Sequence, residues 1–227
     1  MFAPESILSS LEFREISQEL AETGRFLAER GWSPATSSNY SARVRTNDDG
    51  LQNLIAISRT GVDKSRMTAD DFMAIDLILT AAGSDFSVIA PKDARPSAET
   101  LIHTAIYQMR PHARVILHTH SPNNTRLSLR FLEQGHLMFK GYELQKAIEG
   151  ETHHDSVIHV PILANSQDMK TFAQHTLALL AKEPSISGFL IAGHGLYTWA
   201  STVATAKRHV EAFEFLFSCH ALELMGV

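Results

Sequence analysis

The chain is poor in cysteine. Among its 227 residues only Cys219 carries a thiol, which excludes an intrachain disulfide. A single thiol is typical of a protein from a reducing compartment, so we expect a cytoplasmic location. No apolar run approaches the roughly 18 residues of a membrane helix, and the N-terminus has no charged-then-apolar signal pattern. These absences exclude a disulfide-stabilised scaffold and predict that the protein has no membrane partner.

A basic stripe is also missing. The chain has 20 Lys and Arg residues against 25 Asp and Glu, a net charge of −5, and the charges are mixed along the sequence. Nucleic-acid binding needs clustered basic side chains, so we expect no nucleic-acid partner. What the chain does have is 44% hydrophobic residues, enough for a sizeable core. No repeat, low-complexity tract or linker interrupts it, and we predict one domain over residues 1–227.

The hydrophobic patterning predicts a mixture of helices and strands. The first half is interpreted as a helix followed by an antiparallel meander. Ser9 and Glu12 form a capping box for the helix, which stops at Gly31. Strands over 40–45 and 51–58 flank a turn signal at 47–50. Further helices are predicted over 97–109, 122–132, 142–148, 168–182 and 202–224. Strands are predicted over 72–77, 86–90, 115–120, 156–163 and 188–192, with 196–199 continuing the last strand.

The most informative motif is His118-Thr119-His120 at the end of an apolar run. In a strand, alternate side chains share a face, so His118 and His120 project together. Such a pair can hold a divalent metal, or can simply be two polar residues at a strand exit. His194, between Gly193 and Gly195 at the end of another apolar run, is a candidate third ligand. The flanking glycines would let backbone or substrate come close to it.

Two glutamates are candidate proton carriers for such a site. Glu99 and Glu143 both stand in the first turn of predicted helices, where a carboxylate also stabilises the helix dipole. His103, four residues after Glu99, is interpreted as an ordinary helix residue. Small polar turns can present hydroxyl and N–H groups to an anion, or can be turns only. The candidate anion-binding residues are Asn39, Ser41, Ser58, Thr60, Gly61 and Ser97.

Taken together, these motifs resemble the class II aldolase/adducin superfamily. The matching segments cover nearly the whole chain and are the Ser-rich loop 32–41, Ile57–Val62, Arg95–Glu99, His118–Ser121 and Gly193–Gly195. Within the superfamily the sequence is most similar to the sugar-phosphate dehydratases. One segment departs from the aldolase pattern: aldolases have a Thr-Ser-Gly-Asn type of loop, whereas this chain has Ser-Ser-Asn-Tyr-Ser over 37–41.

The resemblance implies an α/β fold of the αβα type, with a central, mostly antiparallel sheet flanked by helices. It also implies a homotetramer with sites near subunit interfaces, a sugar phosphate substrate, and Zn²⁺ held by His118, His120 and His194. The dehydratases place their catalytic acid/base at the position of Glu143, whereas the aldolases use that of Glu99. We prefer Glu143. The rival functions are a zinc aldolase or epimerase of the same superfamily and a non-catalytic assembly module like the adducin head.

Overall fold

Six α-helices and nine β-strands form the regular structure of the computed structural model, which describes residues 4–45, 53–80, 83–91 and 93–226. The helices are α1 (Pro4–Leu8), α2 (Leu11–Glu29), α3 (Thr100–Met109), α4 (Pro122–Arg130), α5 (Met169–Lys182) and α6 (Val203–Met225). The strands are β1 (Asn39–Arg43), β2 (Leu54–Ser58), β3 (Phe72–Thr80), β4 (Gly83–Ala90), β5 (Val115–Thr119), β6 (His136–Phe139), β7 (Ile158–Leu163), β8 (Gly188–Ile191) and β9 (Gly195–Ala200). No helix in these ranges is both long and apolar enough to cross a membrane.

The strands form one sheet in the order β4-β3-β2-β1-β5-β9-β8-β7-β6. All neighbours are antiparallel except β7 and β8. This topology confirms the expected mostly antiparallel sheet and the meander of β1 to β4. The turn predicted at 47–50 lies outside the described residues.

One predicted strand continuation was wrong. Residues 196–199 do not extend β8 but belong to β9, which runs antiparallel to β8 with Ile191 opposite Gly195. The chain reverses at Gly193, whose φ of +64° lies in the left-handed region that glycine adopts without strain. His194 therefore lies in a tight turn between two strands rather than within one.

The sheet is covered by helices on both faces. Helices α2 and α6 pack on one face with Leu117, and helices α3 and α5 pack on the other with Ile116. Because side chains alternate along β5, His118 points to the same face as Ile116. Helices α3 and α5 thus cover the face of the sheet to which His118 points.

Two helix starts differ from the predictions. Ser10, not Ser9, caps α2, because its Oγ accepts a hydrogen bond from the backbone N of Phe13. Helix α3 begins at Thr100 rather than near Ser97, since a β-bridge between Arg59 and Pro96 keeps the preceding segment extended. The helices predicted from residues 122, 168 and 202 are confirmed as α4, α5 and α6, whose N-caps are Ser121, Asp168 and Thr202.

Candidate active site

The structure brings three histidines from two strand ends together. His118 is in β5, His120 follows that strand, and His194 is in the turn between β8 and β9. One ring nitrogen from each lies within 4.8 Å of the others. Their ring centroids are 4.5 to 4.9 Å apart. Among the described residues these three form the one cluster of side chains that could hold a metal ion.

Strand pairing and a glycine position this cluster. Strand β5 pairs with β9, so that His118 lies opposite Tyr197, whose ring stacks on the imidazole at 4.0 Å. A Cβ at Gly195 would lie 2.1 Å from the backbone oxygen of Thr119 and 2.9 Å from Cε1 of His118. The expectation that a glycine beside His194 permits close approach of backbone is therefore confirmed at Gly195.

Each of the three imidazoles has a ring nitrogen without a partner. The Nδ1–H group of His118 donates to the Leu196 carbonyl over 2.9 Å, which leaves a lone pair on Nε2. Buried Nε2 atoms of His118 and His120 and Nδ1 of His194 have no hydrogen-bond partner in the described part of the chain. Burial lowers the pKa of His118 far below its usual value and that of His120 to about 4, so both rings are neutral at pH 7. Neutral, unpartnered imidazole nitrogens are what a divalent metal requires, and the cluster fits one.

Glu99 lies directly against the histidines. Its Oε1 is 2.8 Å from Nε2 of His194 and 3.9 Å from Nε2 of His118. Burial alone would raise the pKa of Glu99, but interactions with His118 and His194 outweigh it and hold the pKa well below its usual range. The side chain makes no capping hydrogen bond to α3. In the structure Glu99 is therefore an ionised carboxylate beside the histidine cluster, and its side chain does not serve to stabilise the start of α3.

Glu143 lies elsewhere. It begins a 3₁₀ turn over Glu143–Ala147, and its side chain is 72% exposed. It pairs with Lys146 and lies 4.0 Å from Nδ1 of His154, and the hydrogen bond from Lys146 lowers its pKa. It does not line the cavity beside the histidines. Within a single chain, the structure does not bring Glu143 to the cluster.

A cavity of about 390 Å³ opens beside Glu99, His120 and His194. Four of the six candidate anion-binding residues line it, namely Asn39, Thr60, Gly61 and Ser97. The backbone N of Thr60 donates to the Arg95 carbonyl, which draws the two polar turns together. The other lining residues are Thr36, Ser37, Ser38, Arg59, Ala98, Asn165, Gln167 and Met169. The wall is mostly small and polar, and Arg59 adds a guanidinium group.

The other two candidate anion-binding residues lie behind the wall. Ser41 is fully buried, and its hydroxyl bonds to the His103 ring and to the Tyr107 hydroxyl. Ser58 is also buried, and its Oγ accepts a hydrogen bond from the backbone N of Tyr40. Neither residue lines the cavity, so both support the strands that carry the site.

Sequence reasoning did not choose several of these residues. The hydroxyl-rich loop reaches the cavity because the backbone N of His120 donates to the carbonyl of Trp32 over 2.7 Å. Asn165 and Gln167 follow β7, which is parallel to β8, so their loop lies at the same sheet edge as the His194 turn. No local pattern reports that pairing. Arg59 could have been chosen from its position between Ser58 and Thr60.

His103 lies in α3, as predicted, but its side chain has polar partners that the interpretation as an ordinary helix residue did not include. The side chain is 1% exposed and its ring bonds to Asn39 and Ser41 at the core of the site. A signal was available, since residues four apart on a helix share one face and Glu99 precedes His103 by four.

Comparison with known proteins places this geometry in a family. Residues 18–221 match the family model described as Class II Aldolase and Adducin N-terminal domain. The methylthioribulose-1-phosphate dehydratase of Marinobacter nauticus is 48% identical over 212 residues, covering 93% of this chain and 94% of that protein. The enzyme of that name from Pseudomonas syringae pv. tomato is 46% identical, covering 90% and 93% of the two chains.

Solved structures agree on the fold. An aldolase II superfamily protein from Pseudomonas syringae superposes with a TM-score of 0.72 at 20% identity, covering 96% of this chain and 79% of that chain. An L-fuculose 1-phosphate aldolase superposes with a TM-score of 0.69 at 21% identity, covering 92% and 86%. The family model and the dehydratase identities carry the assignment further: the chain belongs to the class II aldolase and adducin family, in the branch that contains the methylthioribulose-1-phosphate dehydratases.

Proposed function

We propose that the protein is a hydro-lyase of methionine salvage. It dehydrates 5-methylthioribulose 1-phosphate to 2,3-diketo-5-methylthiopentyl 1-phosphate. The observation that carries the proposal is the cluster of His118, His120 and His194 beside ionised Glu99, at the wall of a polar cavity. Relatives named as this dehydratase share up to 48% identity over more than nine-tenths of the chain. We further propose a cytoplasmic enzyme.

The proposed cofactor is one Zn²⁺ per subunit, held by the three histidines. Bound there, Zn²⁺ would supply Lewis-acid polarisation of the substrate oxygens on C2 and C3. The chain's own residues arrange the ligands: the Leu196 carbonyl orients His118 through Nδ1, and Glu99 accepts the Nε2–H group of His194. Such outer hydrogen bonds orient metal-binding imidazoles and raise their basicity.

The reaction needs one group to move a proton. A carboxylate takes the proton from C3, the C4 hydroxyl leaves as water after protonation, and tautomerisation of the enol gives the diketone. We propose Glu143 as this acid/base. Because its side chain is exposed and lies off the cavity of its own chain, it would act at the site of a neighbouring subunit in a homotetramer. Glu99 is the second carboxylate, and it contacts the reacting region from within the chain.

The phosphate group of the substrate would occupy the small polar wall. We propose that Asn39, Thr60, Gly61 and Ser97 contact it, and that Arg59 contributes charge. Ser41 and Ser58, which lie behind the wall, support these contacts. Backbone N–H and hydroxyl donors in turns are suited to bind an anion of this kind.

The test is an assay of metal-analysed protein with 5-methylthioribulose 1-phosphate, following the diketone. We expect turnover that a chelator abolishes and zinc restores. Bound zinc without turnover would refute the dehydratase reaction. An aldolase or epimerase remains the second candidate, favoured by the position of Glu99 in the cavity, and it would yield cleaved or epimerised products from other sugar phosphates.

A subunit-mixing experiment tests the location of Glu143. His118→Ala protein and Glu143→Gln protein are each expected to be nearly inactive. If Glu143 acts across an interface, dissociating and reassociating an equal mixture should restore activity, with about a quarter of the sites intact for random assembly. Recovery that never exceeds either parent would show that each active site takes both residues from one chain. Reassociated wild-type protein is the control for losses during mixing.

A further inference from the structure

A chain of hydrogen bonds runs from Glu99 into the core beneath the histidines. Asn39 Nδ2 donates to Glu99 Oε2, and the Asn39 Oδ1 atom is bonded to Nε2 of His103. His103 Nδ1 lies 2.7 Å from Ser41 Oγ, and that oxygen lies 2.9 Å from the hydroxyl of Tyr107. The four residues behind Glu99 are each at most 3% exposed, so these bonds lie in the protein interior.

Only one arrangement of protons satisfies this chain of bonds. In the structure the NH₂ group of Asn39 donates to Glu99 and its carbonyl oxygen faces Nε2 of His103. His103 must then donate from Nε2 and accept at Nδ1, which requires the hydroxyl proton of Ser41. Ser41 in turn accepts from Tyr107. The Nε2–H tautomer of His103 is therefore the one that matches the observed orientation of the Asn39 amide.

The sheet and α3 supply these residues from opposite sides. Asn39 lies opposite His118 in the pairing of β1 with β5, and His103 reaches it from α3. Burial lowers the pKa of His103 to about 3, so the ring is neutral and keeps one donor and one acceptor. If the Asn39 amide were reversed, two oxygen atoms would face each other at Glu99. At the other end the NH₂ group would face the Nε2–H group of His103, donor against donor, so the imidazole also disfavours the reversal.

We propose that His103 is a positioning residue that acts through Asn39 to hold the carboxylate of Glu99 against His194. The inference rests on the proposed function only in giving Glu99 a place at the reacting centre. It assigns Asn39 a second task besides lining the cavity, because one end of its amide is committed to Glu99 and the other to His103. His103 itself does not line the cavity.

Two substitutions separate positioning from packing. His103→Gln places an amide N–H group near the Nε2 position and preserves the donor to Asn39. His103→Asn places its polar atoms near the Nδ1 position and loses that donor. We expect His103→Asn to lower kcat by about 10-fold to 100-fold with KM and zinc content unchanged, and His103→Gln to remain within about threefold of wild type. Equal losses in both variants, or an effect on KM alone, would overturn the proposal.

A second measurement does not depend on turnover. Imidazole nitrogen chemical shifts of histidine-labelled wild-type protein, with the His103 signals identified by their absence from His103→Gln, report the tautomer. We expect the neutral Nε2–H form, and an Nδ1–H form would refute the inference even if the protein is an active dehydratase. The Nε2–H form in a protein without dehydratase activity would refute the proposed function and leave the hydrogen-bond chain in place. This measurement also keeps the proposal testable if His103→Asn does not fold.

Discussion

Glu99 and Glu143 have the same local sequence signal and opposite surroundings. Each was predicted in the first turn of a helix after a small-polar or glycine-containing segment. In the structure Glu99 is enclosed by two histidines and Asn39, whereas Glu143 is largely exposed beside Lys146. Neighbours along the chain do not distinguish the two positions. Strand pairing and the turn between β8 and β9 distinguish them, because they bring His118 and His194 to Glu99 and not to Glu143.

The largest expected effect is removal of a histidine near Glu99. His118→Ala should remove the bound metal and reduce turnover below about one-thousandth of wild type, since the polarising cation is lost. His154→Ala, beside Glu143, is the matched control and should keep its metal. Metal analysis and the dehydratase assay measure both. Normal metal content in His118→Ala would contradict the proposed ligand set.

Substitution of either carboxylate, Glu143 or Glu99, is expected to have the next largest effect on turnover. Glu143→Gln should keep zinc and lower kcat by roughly 10² to 10⁴, the usual contribution of a positioned acid/base. Full activity in that variant would eliminate the role of Glu143 and leave Glu99 as the proton carrier. Glu99→Gln should also lower kcat, because it replaces the carboxylate that accepts hydrogen bonds from His194 and Asn39.

A substitution at Gly195 tests the close contact between this residue and the backbone of β5. Gly195→Ala places a Cβ against the backbone of Thr119, which cannot yield as a flexible side chain would. We expect a loss of roughly 3 kcal/mol in the free energy of unfolding together with weaker metal binding. Gly31→Ala is the control: its φ is +73° but no atom lies within 4 Å, so only backbone strain of roughly 1–2 kcal/mol is expected. Denaturant unfolding of the two variants separates a clash from strain, and equal effects would show that the contact with Thr119 is relieved by movement.

Glu214 shows what burial does without histidines nearby. It lies in α6 at 1% exposure and accepts a hydrogen bond from Asn124 over 2.9 Å. Burial raises its pKa from 4.5 to about 7, although hydrogen bonds from Ser121 and Asn124 oppose the shift. Its protonated form is thus favoured in the folded state, so the contribution of Glu214 to stability is fully present below pH 4.5 and is lost as the pH rises towards 7.

Replacing Glu214 by Gln should remove this pH dependence. At about 1.4 kcal/mol per pH unit, the loss between pH 4.5 and pH 7 amounts to at most about 3.5 kcal/mol. Unfolding at pH 5 and pH 8 should show a smaller difference for Glu214→Gln than for wild type. Glu211→Gln, on the same helix and partly exposed, should behave like wild type. An unchanged difference in Glu214→Gln would show that another group is responsible.

Some residues of the candidate site could be predicted from the sequence, and others could not. The His-x-His motif and the glycine-flanked histidine could be chosen from sequence because a strand's two-residue period and glycine's lack of a side chain have local signatures. Asn165 and Gln167 could not, because their position depends on the parallel pairing of β7 with β8. Ser41 was predicted to bind an anion because of its hydroxyl. The small-polar pattern does not indicate whether that hydroxyl lines the cavity or lies behind its wall.

The sequence by itself determined the class of fold, the histidine cluster and the family, because hydrophobic periodicity and motif spacing are properties of neighbouring residues. Tertiary structure alone decided that Glu99 rather than Glu143 touches the histidines within a chain, and that the ring of His103 bonds to Asn39 and Ser41. Those outcomes depend on contacts between segments up to 95 residues apart in the chain, as between Glu99 and His194. Hydrogen bonding and burial act through space, so distances along the chain do not reveal them.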